Sequence, residues 1–487
     1  MLDVLFSHSY YYKLDPKQWA NQTPFPPLGT LFAASLLREN NFSVGLFDTN
    51  LKNGPDKINE VLKTSKPKFL VLYDDGFNYL TKMCLTNMRE AAFKMVKLGK
   101  KYNCTVIVNS SDSTDHYKKF LDKGADFIIQ GEGENTLLEL IIKLNNNESL
   151  EKLNGLVYKK NNEIVINPKH DVLKDLDSLP LPAWDLVQIK NYRKVWKNSK
   201  KPFTLNMVTT RGCPFKCNWC AKPIYGNRYN SHSPEYVVKH LKYLSETYGV
   251  SRFWMCDDIF GLKPKWVQDF NLELQKECLQ ISYYIQSRAD LLIKEDTVDA
   301  LAESGCEEVW IGAESGSQKI LDAMDKGIFI EQIKQATKLL KEKNIRVAFF
   351  IQYGYSGETK EDIAKTISLI KTLLPDDIGV SVSYPLPGTK FYENVKQDLK
   401  TKANWTDSDD LAMMFQGTFN SKYYKILHRY THKEFRKSQG FYNLKQFFKN
   451  PFSLTKSKLR SIILSAYYIP TSLFYKIQLN TMKNTNG

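Results

Sequence analysis

The chain has few cysteines, few histidines and fewer acids than bases, and it lacks long apolar runs. Its 487 residues include 8 Cys, 7 His and 53 Asp and Glu against 68 Lys and Arg. Five of the cysteines, Cys84, Cys104, Cys256, Cys278 and Cys306, are scattered through apolar or helical settings. That excludes a disulfide-stapled scaffold and is the pattern of a reducing compartment. No stretch of about 18 or more residues is wholly apolar, so no membrane-spanning helix is expected. The first residues, Met-Leu-Asp-Val-Leu-Phe, carry no basic segment before an apolar run, so no signal peptide is expected. A cytoplasmic location is the expectation from these absences. There is no low-complexity tract. The length suits two or three domains with full cores.

The positive charge is not spread evenly. Residues 421–487 hold 13 Lys and Arg and a single acid, Glu434, so twelve of the fifteen excess positive charges lie there. The preceding 420 residues are close to neutral. The basic character belongs to the end of the chain and not to its body.

Three further cysteines share one short loop, Arg211-Gly212-Cys213-Pro214-Phe215-Lys216-Cys217-Asn218-Trp219-Cys220. The spacing is CxxxCxxC. Three thiolates so placed can hold three corners of a [4Fe–4S] cube. The fourth iron then keeps an open position, as catalytic metal sites do. Two plainer readings stand beside this one. The cysteines could be a zinc set completed by His232 or a distant residue, or unrelated buried thiols. Zinc sites usually show a second Cys or Cys/His pair, and this chain has none.

Around the loop, the pattern is strand–helix alternation. In residues 1–150, strands are expected at 3–7, 43–47, 67–73, 105–108 and 126–130. Helices are expected at 28–40, 86–102 and 135–144. This predicts an α/β, doubly wound, Rossmann-like parallel sheet covered on both faces. Its ligand edge would carry Ser7-His8-Ser9, Tyr73-Asp74-Asp75, Asn109-Ser110-Ser111 and Gly131-Glu132-Gly133-Glu134. Residues 151–200 read as a proline-rich connector. From 201 to 392 a second series places strands at 204–209, 252–256, 282–286, 308–312, 346–352 and 379–384. Ser233-Pro234-Glu235 opens one of its helices as cap, first-turn proline and first-turn acid. Six strand–helix units predict a partial (β/α)6 TIM-like barrel with its chemistry at the loops after the strands. Residues 393–487 read as a small, mostly helical, basic and aromatic region.

Polar groups stand at the barrel strand ends: Asp257-Asp258, Arg288, Glu314-Ser315-Gly316 and Gly354-Tyr355-Ser356-Gly357-Glu358, with Trp219 inside the cysteine loop. Each alone reads as structural. Asp257-Asp258 could bind an ammonium or cap a helix, and Arg288 offers a fork that matches a carboxylate.

With these residues in place, 204–392 resembles a radical S-adenosylmethionine domain. The resemblance rests on Cys213, Cys217, Cys220 and Trp219, then Asp257-Asp258 with Phe260, Arg288-Ala289-Asp290, Gly312 to Gly316, Gly354 to Thr359, and Pro385-Leu386-Pro387-Gly388-Thr389. Residues 1–150 resemble the cobalamin-binding domain that precedes this barrel in one large subgroup. There the matches are Pro26-Pro27-Leu28-Gly29, Leu46 to Asn50, and Gly131 to Glu134 with Thr136. That subgroup includes C-methyltransferases, a ring-forming cyclase and hopanoid-tailoring enzymes.

The resemblance implies a [4Fe–4S] cluster on Cys213, Cys217 and Cys220, with S-adenosylmethionine chelating the open iron. One electron then cleaves the sulfonium, and the 5′-deoxyadenosyl radical takes a substrate hydrogen. It implies Asp257 and Asp258 on the amino side, Arg288 at a carboxylate, and Glu314 or Ser315 at the ribose. Trp219 and the Gly354–Gly357 loop would flank adenine. Cobalamin is implied against Asn109, Ser110, Ser111, Gly131, Glu132, Gly133, Glu134 and Thr136. No single catalytic residue is implied.

Three departures stand out. No Asp-x-His-x-x-Gly supplies a cobalt ligand, the 109–112 loop lacks the paired glycines and histidine usual there, and Ser356 replaces a common proline. The leading expectation is a cobalamin-dependent radical methyltransferase acting on an unactivated carbon of a small molecule or lipid. Its electron donor would be a flavodoxin or ferredoxin. The alternatives are a radical cyclase or rearrangement enzyme without methyl transfer, and a non-catalytic metal and cobalamin sensor. For the basic end of the chain, a cap with a solvated face is preferred to peripheral contact with the inner membrane face. Nucleic acid is disfavoured, since the second cluster motif and RNA-binding domain of methylthio-transferring relatives are missing.

Overall fold

The computed structural model describes residues 2–482 apart from Pro223 and Glu295, and the chain divides into two compact units. One comprises Met1–Phe215, Ala221–Ile285 and Asn404–Asp410; the other comprises Lys216–Cys220, Gln286–Ala403 and Leu411–Gly487.

The first unit opens with β1 (Val4–Ser7), β2 (Val44–Phe47), β3 (Phe69–Tyr73), β4 (Thr105–Asn109) and β5 (Phe127–Ile129). All five pair in parallel, in the order β2-β1-β3-β4-β5. β3 is buried along its whole length, as a parallel strand covered on both faces must be. The core joins Val4, Phe6, Val71 and Ile107 of the strands to Leu137, Leu140 and Ile141 of the helix Glu134–Asn146. The strand order reverses beside β1. This topology puts the ligand crevice at the carboxyl ends of β1 and β3, where Ser9 and Asp74 lie.

Within the stretch read as a connector, the chain forms a hairpin of β6 (Leu156–Lys160) and β7 (Glu163–Ile166). β6 adds antiparallel to β5. The signal was there: Asn161 and Asn162 take φ of 51° and 65°, the two positive values a tight hairpin turn demands.

The same unit holds β8 (Leu205–Met207), β9 (Thr210–Arg211), β10 (Asn230–Ser231), β11 (Arg252–Met255) and β12 (Ser282–Ser287), whose last two residues belong to the second unit. β8, β11 and β12 are parallel, while β9 and β10 form a short antiparallel ladder. The helix Pro234–Tyr248 begins as its sequence predicts, with the Ser233 side chain accepting the Tyr236 N–H.

The second unit carries β13 (Cys306–Glu314), β14 (Arg346–Tyr353) and β15 (Asp377–Val382), again parallel. The six strands expected of a partial barrel therefore all form. The end of the chain is helical, as expected, and folds as two long helices, Ser421–Lys449 and Lys456–Thr481.

One contact ties the end of β13 to the helix Lys360–Leu373. Gly316 donates its N–H to Thr366 Oγ1 at 2.9 Å, and a Cβ there would stand 2.5 Å from the Lys365 carbonyl oxygen. Backbone cannot step aside as a side chain can. Gly316→Ala is expected to cost about 1–3 kcal/mol by overpacking, read as a lower urea midpoint. An unchanged midpoint would show that the helix moves freely.

Candidate functional site

In the first unit, the strand ends are knitted together by polar side chains. His8 meets Asp48 at 3.1 Å, and Asp48 also accepts from the Tyr192 hydroxyl at 2.6 Å. Ser9 donates through its N–H and hydroxyl to Asp74, each at 2.6 Å. Burial raises the Asp74 carboxyl above its ordinary range, and Asp75 to about 6. Asn109 donates to the carbonyls of Ile129 and Gly131. The Ser110 hydroxyl accepts the Ser113 N–H and starts the short helix Ser111–Asp115. Asp112 takes two bonds from Arg89 and contacts His116. A gap of only about 10 Å³ remains, lined by Ser9, Asp74, Met88, Arg89 and Asp112 among others. Most polar atoms at this edge are spent on one another. Among the described residues the Ser111 hydroxyl is buried without a hydrogen-bond partner, as are both Glu134 carboxylate oxygens. The orphan hydroxyl is a donor that fits a ligand held at the carboxyl edge of the sheet.

The loop after β5 reaches the strand that leads to the cysteines. Arg211 is 2% exposed. Its Nη1 lies 2.5 Å from Glu132 and its Nη2 lies 2.9 Å from Glu134, this second pair held by charge and not along an N–H. The rings of Phe32, Phe77 and Tyr225 surround the guanidinium at 5.3–5.5 Å. Glu132 also accepts the Leu173 N–H, and Thr136 bonds the Asn154 carbonyl. Glu132, Glu134 and Thr136, expected at a ligand, are thus engaged within the protein. Arg211 carried no signal in sequence beyond its place two residues before Cys213.

Asp257 and Asp258 part company. Asp257 is buried and accepts the N–H groups of Thr209 and Thr210, each at 2.7 Å, together with the Thr209 hydroxyl. Burial pushes its carboxyl up to about 7. It brackets the turn entering the cysteine loop. Asp258 instead pairs with Lys82 at 2.5 Å.

In the second unit, the loop segment Lys216–Cys220 is pinned by Asn218. Its N–H donates to Met324 O, its amide donates to Ala323 O and Asp325, and its amide oxygen accepts from the Tyr355 hydroxyl at 2.8 Å. Phe391 N–H bonds its backbone carbonyl. Sequence reasoning passed over Asn218 because asparagine between cysteines looks like an ordinary loop residue.

Beside Cys217 stand two cations. Arg288 Nη1 lies 3.9 Å from the Cys217 sulfur. The rest of its fork goes to Asp290 and to the carbonyls of Lys326 and Gly327. The fork thus holds a carboxylate of the protein itself, that of Asp290, as well as two carbonyls. Lys326 is buried against Glu314 at 2.8 Å. Against a desolvation penalty that acts the other way, Glu314 holds the Lys326 ammonium above its usual range. Its Nζ also lies 6.0 Å from the centre of the Trp219 ring, whose own Nε1 is buried without a partner. Ser315 pairs with Thr366 at 3.1 Å. Gly354 and Gly357 both take positive φ, at 76° and 80°, and Gly354 donates its N–H to Glu358 at 2.6 Å.

None of the eight cysteines is in a disulfide, and Cys213, Cys217 and Cys220 are all part-exposed. Among the described residues, no three His, Cys, Asp or Glu side chains are gathered tightly enough to close on one ion. The donor set itself, three thiols outside any disulfide with cations beside one of them, suits iron–sulfur ligation.

The model of the radical SAM superfamily matches residues 207–370. Over 389 residues the chain is 30% identical to an uncharacterized methyltransferase of Pyrococcus horikoshii, PH0819, covering 79% of this chain and 81% of that one. The chain belongs to the radical SAM superfamily. It is an enzyme of that class. It is also 25% identical over 403 residues to the anaerobic magnesium-protoporphyrin IX monomethyl ester cyclase of Rubrivivax gelatinosus, covering 80% and 70%. A solved structure of the cobalamin-dependent S-adenosylmethionine radical enzyme OxsB with aqua-cobalamin bound shares the fold. Its TM-score is 0.75 at 17% identity, covering 98% of this chain and 72% of that one.

The radical SAM loop after β14 depends on a proton. Glu358 is wholly buried, and burial pushes its carboxyl up to about 8 from an ordinary 4.5. At neutral pH the folded chain holds this proton and the unfolded chain has lost it. The stabilisation is complete below the unfolded value and disappears as pH rises through the folded one. Asp257 acts in the same sense. His232 and His240 are lowered by burial and no longer titrate above about 6.5. Between about pH 6.5 and about pH 8, Glu358 alone should cost the fold about 1.5 kcal/mol. Glu358→Gln should flatten that part of the slope in urea midpoints. A slope unchanged by the substitution would mean that Glu358 is ionised throughout.

Proposed function

We infer that this radical SAM enzyme transfers a methyl group to an unactivated carbon of a small-molecule or lipid metabolite, with cobalamin as a second cofactor. In this reading, residues 1–150 form the cobalamin-binding domain, 151–200 the linker, 201–392 the S-adenosylmethionine barrel and 393–487 the C-terminal region. Cys213, Cys217 and Cys220 hold the [4Fe–4S] cluster. When bound and reduced, the cluster supplies the electron that cleaves S-adenosylmethionine to methionine and a 5′-deoxyadenosyl radical, and cobalamin carries the methyl group. A flavodoxin or ferredoxin is the electron donor.

The protein's part is to place and shield. Asn218 fixes the backbone between the second and third cysteines. Arg288 and Lys326 put positive charge beside Cys217. Asp257 holds the turn before Cys213 and so acts on the site through backbone, while Asp258 keeps the amino-side role read from sequence. Trp219, Gly354 and Gly357 border the adenine, and Glu314 and Ser315 the ribose side. The Ser111 hydroxyl is a buried donor that the cobalamin edge offers, while the space beside Gly133 is taken by Asn109 and Tyr73.

The observation that carries methyl transfer is the similarity to PH0819, named a methyltransferase, at higher identity than to the cyclase. The cyclase similarity favours the second reading, a radical cyclisation without methyl transfer. The test is anaerobic reconstitution with iron, sulfide, cobalamin and S-adenosylmethionine, a reducing system, and product analysis by mass spectrometry. Formation of both S-adenosylhomocysteine and 5′-deoxyadenosine is expected, since the methyl donor and the radical source are consumed separately. 5′-Deoxyadenosine alone would move the assignment to cyclisation or rearrangement.

A further inference from the structure

The two C-terminal helices pack inside out. The helix Lys456–Thr481 turns small or hydroxyl-bearing residues inward: Ser465 and Ser472 are buried, and so is Leu479 at its end. They meet the helix Ser421–Lys449 at a close crossing, where a Cβ on Gly440 would lie 2.5 Å from the Ser465 Cβ. Outward go Leu459, Ile463, Tyr467, Ile469, Leu473, Phe474 and Ile477, each 44–64% exposed. At 3.6 residues per turn these seven cover an arc of about 160°. Arg460 falls at one edge of that arc, and Lys458 and Lys476 at the other. At the tip of the hairpin, Phe452 is completely exposed between Lys449 and Lys456. A water-soluble helix pair hides its apolar side chains in the seam. This pair uses small residues for the seam and shows its apolar face to the outside, which is the packing helices adopt next to lipid.

The charge chooses the occupant. Glu434, the only acid in residues 421–487, is 5% exposed and paired with Lys437 and Lys371. The outward face is therefore apolar in the middle and cationic at its edges. A second copy of this chain would bring cation against cation with no acid to relieve it. Among the described residues no helix is long and apolar enough to cross a membrane. An anionic bilayer surface satisfies all of these facts: acyl chains accept the apolar arc, and headgroup phosphates accept the lysines and Arg460.

We propose that the hairpin 421–481 is a monotopic anchor that lies in the plane of an anionic membrane surface, with Phe452 entering the headgroup layer. This does not rest on the reaction the enzyme performs.

The test uses the full chain and co-sedimentation with vesicles of phosphatidylcholine alone or mixed equally with phosphatidylglycerol. Binding is expected to the mixed vesicles and to fall with added salt. Replacing Lys456, Lys458 and Arg460 with Gln should weaken partitioning on the order of a hundredfold, at about fivefold per cation. The pair Ile463→Ser and Phe474→Ser should also release the protein. Ile463 and Phe474 are exposed, so circular dichroism melting of the serine pair should not change and loss of fold is separable from loss of binding. Failure to sediment with the mixed vesicles would overturn the proposal. So would binding that both variants retain, or a solution dimer that the serine variant dissociates while vesicles capture nothing.

Discussion

A buried arginine must be neutralised where it lies, and in this fold Arg211 is the one on which the most depends. It is enclosed by three aromatic rings and meets Glu132 and Glu134 in the loop after β5. Burying such charges gains little by itself, but removing one partner would leave the others uncompensated at about 3–5 kcal/mol. The short strand that delivers Cys213 is thereby fixed to the ligand edge of the first sheet. The residues that resemble a cobalamin-binding fingerprint turn out to grip the strand feeding the cysteine loop. Gly212 follows Arg211 at φ 79°, a value that leaves the backbone free to turn directly into Cys213.

The second unit treats its share of the loop in the same way. Asn218 spends its amide, its N–H and its carbonyl on neighbours, so Cys217 and Cys220 stand on a backbone with little freedom. Beneath them, Glu314 and Lys326 form a buried pair, with Arg288 closing the cationic side. Positive charge near a sulfur would favour added electrons on any cluster it holds. The chemistry asked of this superfamily begins with such an electron, and the protein's contribution is electrostatic and positional.

Much of this was legible in the sequence. The continuous apolar run of β3 and the capped start at Ser233 each point to a single outcome, because local preference and tertiary demand agree there. The β6–β7 hairpin was missed because the prolines after it dominated the reading and the Asn161-Asn162 turn was passed over. The partners of Arg288 and Asp257 could not be read either. A fork that matches a carboxylate matches paired carbonyls as well, and only the fold decides which is near. Asn218, Arg211 and Lys326 were passed over for the same reason: their roles depend on neighbours more than seventy positions away or on a single buried partner. The helical character of the end of the chain was legible, but not its pairing into a long hairpin, because small residues mark the seam and large apolar ones the outside.

The account stands or falls on what Cys213, Cys217 and Cys220 hold. The most direct measurement is the electron paramagnetic resonance spectrum of the anaerobically reconstituted, dithionite-reduced chain, before and after adding S-adenosylmethionine. A signal of a reduced [4Fe–4S] cluster that changes on addition, and that vanishes when the three cysteines are replaced by alanine, is the predicted result. A cluster signal that persists in the triple variant, or one indifferent to S-adenosylmethionine, would contradict it.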